Sequence, residues 1–540
     1  MVASSGNPRN EAVLDHAPGS VERRALDAEL ARQASAPLGL PLILGDARVS
    51  TLKTSAFSAP HAHALVLGEY SVAEPEHVAQ AIAAARQAKP SWAALALAER
   101  ASIFQRAAEL AAGPWRSRLL AATMLNQSKT VHQAEIDAIG ELCDFLRFNA
   151  AFAGELCETH LISTEHEKNR WDLRPLDGFV LAVTPFNFTA IAGNLPSAPA
   201  LLGNTVIWKP SPLAMLSAHH VLELFLAAGL PPGVINLVQG DAPRICEQVL
   251  SASDFAGLHF TGSSQVFRGL WTQIGARIGS YRSYPRIVGE TGGKDFIVAH
   301  ASAEVAPLAT AIVRGGYEYQ GQKCSAASRV YLPASLAEQV IDSVRAMLAE
   351  IRVGDPCDAR NFLGAVIGRA SFDRITGYLT RARADARCKI LAGGTTDDRV
   401  GFFVEPTLIE VTDPKHPLLS EEIFGPVVTL YRYDDDRFAD VLTLCDEATP
   451  YALTGSIFAQ DRGALEQATE RLRMSAGNFY VNDKPTGAVV GQQPFGGSRG
   501  SGTNDKAGSV WNLMRWISPR VIKENLRPPR DFRYPFLVSD

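Results

Sequence analysis

Apolar positions mark out two kinds of segment along this chain. Residues 78–115 are alanine-rich, and Ile103, Ala107 and Leu110 recur at i, i+4 and i+7, one stripe of a helix to be buried. The helical pattern runs on to about residue 150. From residue 179 the texture changes to short apolar runs: Phe179–Val183, 205–208, 234–238 and 258–260. Helix-like stretches separate them, at 194–202, 214–228 and 243–250. Short apolar strands alternating with helices predict βαβ units around a parallel sheet covered on both faces. A second alternating block follows residue 295. It has strands at 296–299, 329–332 and 456–459 and helices at 305–319, 337–350 and 439–448, and it ends near Phe495-Gly496-Gly497. The tail, 510–540, carries a β-like piece at 516–523 with no clear core of its own. A strand with nothing local to pair with often pairs with another subunit.

The chain's 540 residues exceed one ordinary domain and predict two or three. Hydrophobic residues make up 46% and charged residues 20%, a globular balance. The net charge is -5, with no basic stripe for nucleic acid and no polybasic patch for a membrane surface. No apolar stretch approaches the roughly 20 residues of a spanning helix. The seven cysteines, at 143, 157, 246, 324, 357, 388 and 445, are scattered and form no Cys-x-x-Cys. That argues against a disulfide framework and for a reducing compartment. The cytoplasm is the expectation, with the mitochondrial matrix as the alternative. Residues 1–37 have no apolar h-region and include Glu11, Asp15, Glu22, Asp27 and Glu29, whereas a presequence is Arg-rich and poor in acids. The twelve histidines show no ligand spacing, so no metal is expected. His219-His220 reads as a solvated pair on a helix.

Three runs carry chemistry. Cys324 lies in Tyr319-Gln320-Gly321-Gln322-Lys323-Cys324-Ser325. A thiolate attacks an aldehyde carbon without prior activation of the substrate, and Gly321 and Ser325 suit a tight turn that presents the side chain. Taken alone, a cysteine in such a context is more often structural. Glu290 lies in Gly289-Glu290-Thr291-Gly292-Gly293-Lys294, where the glycines leave a carboxylate base room to move. An isolated glutamate of this kind is more often a solvated turn residue. Asn187 lies in Thr184-Pro185-Phe186-Asn187-Phe188, and its amide N–H, with the Cys324 backbone N–H, can hold an oxyanion. An Asx turn or a helix cap is the plainer alternative. Thr261-Gly262-Ser263 follows a strand and opens a helix, so its amides can face a pyrophosphate, though it is not Gly-x-Gly-x-x-Gly. Lys209 and Glu422 are candidates to hydrogen-bond ribose hydroxyls. Either residue equally fits a surface charge.

In their fixed order these runs resemble the aldehyde dehydrogenase family, from about Pro41 to Pro535. The resemblance implies an α/β fold with a Rossmann-type NAD domain (1–157 and 176–295), an α/β catalytic domain (296–495) and a small β oligomerisation flap with its tail (158–175 and 510–540). It implies Cys324 as nucleophile, Glu290 as base and Asn187 as the carbonyl's hydrogen-bond donor. NAD would be held by Thr184, Lys209, Gly262, Ser263 and Glu422. A narrower likeness, to the branch acting on L-glutamate γ-semialdehyde in proline degradation, rests on 186–191, 491–497 and Ser501-Gly502-Thr503-Asn504-Asp505-Lys506. It implies that Ser325, Gly487 and Ala488 bind the substrate's α-carboxylate as an anion nest, and that Phe188 and Phe495 clamp its aliphatic part. Core packing is the commoner fate of phenylalanine. Pro212 replaces a glutamate that many NAD-selective members carry, and Phe267 replaces a glycine, as in that branch. No segment resembles a proline dehydrogenase, so a monofunctional enzyme is expected. The expected partners are a small-molecule substrate and further copies of the chain in a homodimer or higher homo-oligomer. A dehydrogenase for another short aldehyde is the nearest competitor. A fold-only scaffold would be expected to lack Cys324 or Glu290, and a CoA-acylating relative has no use for a water-activating glutamate.

Overall fold

The computed structural model describes residues 8–537. The expected alternation builds two seven-stranded sheets. In the first, Arg286–Glu290, Phe255–Thr261, Phe179–Val183, Thr205–Lys209 and Ile235–Leu237 lie side by side and parallel. Leu42–Leu44 and Ala47–Val49 extend it antiparallel. The central strands read Phe-Val-Leu-Ala-Val and Thr-Val-Ile-Trp-Lys and are buried at every position. Such strands need helices on both faces. Trp208 and Val206 point into a core shared with Leu97–Ala112, Leu142–Glu158 and Met215–Ala227, while Ile207 and Leu181 meet Pro75–Ala94 and Ala242–Leu250 on the other side.

The second sheet runs Cys388–Ala392, Thr407–Val411, Val427–Tyr433, Ala327–Pro333, Asp295–Ala299, Thr454–Phe458, Asn478–Val481. Only its first pair is antiparallel. Val305–Tyr317 and Ala334–Glu350 cover one face, and Phe438–Glu447 and Arg462–Arg471 cover the other. No helix among the described residues is long and apolar enough to cross a membrane.

Three expectations change. In Leu97–Ala112 the buried stripe is Ala101, Phe104, Ala107, Ala108 and Ala111, with Ile103 and Leu110 partly buried beside it. The stripe follows the side that meets Leu142–Glu158, where alanine lets two helices approach closely. His219 and His220 are buried rather than solvated, because Met215–Ala227 is covered on several sides. The His220 Nδ1 accepts a hydrogen bond from Arg118 Nε at 3.2 Å. The tail strand, Ile517–Asn525, also finds a partner within its own chain. It pairs antiparallel with Glu167–Pro175 along nine residues, Ile517↔Pro175 to Asn525↔Glu167. The partner was hidden because Glu167–Pro175 is a polar, half-exposed run with no apolar signal.

This ribbon is anchored at its base. Trp516 is fully buried with its ring 4.6 Å from His259. Asn204 ties the joint together: its Nδ2 donates to the Trp516 carbonyl (2.8 Å) and the Pro199 carbonyl (2.9 Å), and its Oδ1 accepts from the Leu176 N–H (2.9 Å). Asn204→Ala leaves these buried groups unpaired and should cost about 2 kcal/mol or more. The expected outcome is a lower thermal unfolding midpoint. An unchanged midpoint would show that the anchor carries no stability.

Candidate active site

In a parallel sheet, ligands gather outside the carboxyl ends of the strands. Four neighbouring strands of the first sheet deliver candidate residues to that edge. Val183 leads into Thr184 and Asn187, Lys209 ends its own strand, Thr261 leads into Gly262 and Ser263, and Glu290 ends the edge strand. The register sets Val183 opposite Lys209 and Thr261 opposite Glu290. Ser263 precedes the helix Ser264–Ala276 and makes no side-chain cap, so the first-turn amides keep their capacity for an anion. Lys209 is only 6% exposed, and burial lowers its ammonium pKa. It is no surface charge. The Thr184 Oγ1 accepts from Trp208 Nε1 at 2.9 Å. Phe267 stacks on Phe260 with ring centroids 5.3 Å apart, filling space beside this edge.

The chain crosses from one sheet to the other in residues 291–294. Glu290 ends a strand of the first sheet and Asp295 begins a strand of the second. The crossing is tight. A Cβ on Gly292 would lie 2.5 Å from the Glu422 carboxylate, and one on Gly293 would lie 2.3 Å from the Cys324 carbonyl oxygen. Only glycine fits there. The Gly293 N–H donates to Glu422 Oε1 at 2.9 Å. Cys324 follows three left-handed residues, Tyr319 (φ 51°), Gln320 (φ 55°) and Gly321 (φ 64°). Left-handed non-glycine residues store strain, a recurrent feature of functional turns. Asn187 is neither a cap nor an Asx turn, since Phe188 caps the helix Thr189–Leu201. Its Nδ2 donates to the Gln322 carbonyl at 3.0 Å, which ties it to the Cys324 turn and leaves one amide hydrogen.

Burial pushes the Cys324 thiol well above its usual range, and the carboxyls of Asp295, Glu290 and Glu422 push it further. Burial likewise raises Glu290, against the Gly497 N–H that donates to its Oε2 at 3.1 Å. Glu422 is raised by burial as well.

On the far side of Cys324, Ser325 Oγ and Thr486 Oγ1 are 2.7 Å apart. Gly487 is left-handed (φ 95°), Ala488 follows it, and Phe188 and Phe495 are half-buried. The motifs assign no role to Lys129 or Asp137, although Asp137 lies in the helical run 133–138 that weakly supports the narrower likeness. The two form a buried pair at 2.6 Å, with the Lys129 ammonium 4.2 Å from the Phe188 ring centroid. The Asp137 carboxylate accepts from the Thr189 and Ala190 N–H groups at 2.9 and 2.8 Å. It thereby stabilises the helix start that follows Asn187 and Phe188. Asp137 reaches this point from a run of wide helical turns, Glu135–Glu141. The available signal was an aspartate and a lysine beside apolar helical text.

Comparison with known proteins agrees with this arrangement. A family model described as "Aldehyde dehydrogenase family" matches residues 49–522. The chain is 46% identical over 535 residues to a mitochondrial Delta-1-pyrroline-5-carboxylate dehydrogenase of Bos taurus, covering 99% of this chain and 95% of that one. It is 48% identical over 533 residues to its namesake in Emericella nidulans, covering 97% and 93%. A crystal structure of Delta-pyrroline-5-carboxylate dehydrogenase from Mycobacterium tuberculosis bound with NAD matches at a TM-score of 0.96 and 51% identity, over 99% of each chain. With motif order, sheet order and sequence similarity in agreement along nearly its whole length, the chain belongs to the aldehyde dehydrogenase family.

Proposed function

We propose that this chain oxidises L-glutamate γ-semialdehyde, formed by ring opening of Δ1-pyrroline-5-carboxylate, to L-glutamate with NAD, the second oxidation of proline degradation. The observation that carries the reading is the meeting of Cys324, Glu290 and Asn187 around the Gly292–Gly293 crossing. The similarity to proteins bearing that activity in their names supports the substrate. Cys324 attacks the aldehyde carbon as thiolate. Asn187 Nδ2 and the Cys324 N–H stabilise the oxyanion. NAD held by the cofactor residues would supply the acceptor for the hydride that leaves the carbon joined to Cys324. The residue left on the sulfur is a thioester, and Glu290 removes a proton from the water that hydrolyses it. The product carboxylate departs and the thiol is restored.

The residues suit the cofactor on the geometry of the first sheet. The first-turn amides after Gly262 and Ser263 suit a pyrophosphate, and the buried Lys209 and half-buried Glu422 suit ribose hydroxyls. Residues 1–157 and 176–295 form the cofactor half in this reading and 296–495 the catalytic half. Within the proposed flap and tail (158–175 and 510–540), the ribbon of Glu167–Pro175 and Ile517–Asn525 offers exposed strand edges to a homodimer or higher oligomer. Seven free thiols suit a reducing compartment, the cytoplasm or a mitochondrial matrix. The reading is tested by NADH formation on a panel of aldehydes with and without an α-carboxylate. Equal rates across the panel would overturn the substrate assignment.

Cys324→Ala should abolish NADH formation while NAD binding, measured by calorimetry, stays near normal. Substantial residual turnover would exclude this nucleophile. Glu290→Gln should give a rapid burst of NADH followed by slow turnover, because the base acts on water after hydride transfer. Loss of the burst itself would assign Glu290 another role. The raised thiol pKa has a sign: the thiolate is the minor form through neutral pH and grows as pH rises. In the cofactor-free chain, Cys324 alkylation by iodoacetamide should therefore rise about tenfold per unit from roughly pH 7 to 9. Peptide mapping that shows a plateau below about pH 8 would contradict the half-buried, carboxyl-surrounded thiol.

A further inference from the structure

The turn that carries Cys324 and the loop that carries Gly487 meet at one buried carboxylate. Glu318 is 6% exposed. Its Oε2 accepts from Lys323 Nζ at 3.1 Å and lies 3.9 Å from Lys484 Nζ, and its Oε1 accepts from Arg314 Nε at 3.0 Å. The neighbouring lysines hold Glu318 ionised, with its pKa lowered to about 2. Arg314 is half exposed and solvated. Lys323 and Lys484 are not, with side chains 8% and 19% exposed, and they share a single anion. Among the described residues, one positive charge in this cluster is therefore left without a partner.

The surrounding acids do not supply the missing anion. Asp137 is engaged by Lys129. Glu141, which feels Lys323, is pushed up to about 8 by burial and by Asp137, so it is mostly neutral at pH 7. Asp483 is exposed to solvent. Buried charges are ordinarily paired, because desolvating a lone one is costly. The unmatched ammonium has a definite place. Lys484 Nζ donates to the Thr486 carbonyl at 3.0 Å, and a Cβ on Gly487 would lie 2.8 Å from it. Thr486 Oγ1 in turn contacts Ser325 Oγ. The ammonium thus lies against the loop whose neutral donors were expected to hold a carboxylate.

We infer that Lys484 is a specificity-determining residue, supplying the fixed positive charge that the substrate's α-carboxylate neutralises on binding, with Glu318 and the Thr486 carbonyl holding it in place. The inference rests on the reading of the substrate as an α-amino-acid semialdehyde. Ser325 and the amides of Gly487 and Ala488 give the carboxylate direction. Lys484 adds a net charge in a site of low dielectric, where it acts more strongly than in water.

The test compares kcat/KM for glutamate semialdehyde with that for pentanal, alongside product inhibition by L-glutamate. In Lys484→Gln and Lys484→Met the ratio should fall about tenfold or more, mostly through KM, and the L-glutamate inhibition constant should rise in step. Lys484→Arg should restore most of both. Glu318→Gln removes the negative charge that Lys323 and Lys484 share and should keep or increase the preference for the carboxylated aldehyde. In the unmodified chain, added salt should weaken inhibition by L-glutamate, a measurement independent of whether any variant folds. If the wild type discriminates but Lys484→Gln does so equally, or if salt leaves inhibition unchanged, the inference is wrong. If the wild type does not discriminate at all, the substrate reading fails first and this inference falls with it.

Discussion

The structure depends on one close passage of backbone. At Gly292 and Gly293 the chain leaves the edge strand of one sheet and enters the middle of the other with no room for a side chain. Glu422 abuts the first glycine and the Cys324 carbonyl the second. The amino end of the second sheet is thereby drawn to within hydrogen-bond reach of the carboxyl end of the first. Residues from both sheets then share one water-poor space, and the raised positions of Cys324, Glu290 and Glu422 follow from that burial.

Cofactor and covalent chemistry divide along this seam. The parallel strands end in amides and a buried lysine suited to a dinucleotide. The strained turn before Cys324 presents the thiol from the opposite side. Asn187 belongs to the first group by sequence and to the second by contact, since it bonds the Gln322 carbonyl in the turn before Cys324. The pair formed by Lys129 and Asp137 holds that loop from behind, so a residue with no place in any motif sets the position of one that has.

Much of this was legible in the residues. Continuous apolar runs such as Phe179–Val183 identified buried parallel strands, because only such strands need both faces covered. Cys324, Glu290 and Asn187 stood out only because their three runs occur together in one order, since each residue taken alone had a plainer structural reading. Partnerships set by distant polar groups were not legible. The strand Ile517–Asn525 was visible but its partner, polar and half-exposed, was not. The burial of His219 and His220 came from helices far away in sequence. Glu318 with Lys484, and Asp137 with Thr189, draw their meaning from each other across long separations, and no local pattern marks such partners.

The central claim is that the glycine crossing seats the nucleophile, so the most direct measurement is the activity of Gly293→Ala. A methyl group there must displace the Cys324 carbonyl or the strand that begins at Asp295. The prediction is a fall in kcat/KM of about 10²-fold or more, since a displacement near 1 Å costs that much. The dissociation constant for NAD should change less than kcat/KM, because most of the cofactor candidates end strands of the first sheet. Full activity in a folded Gly293→Ala chain would contradict the account, because the two sheets would then meet at the active site without needing the gap.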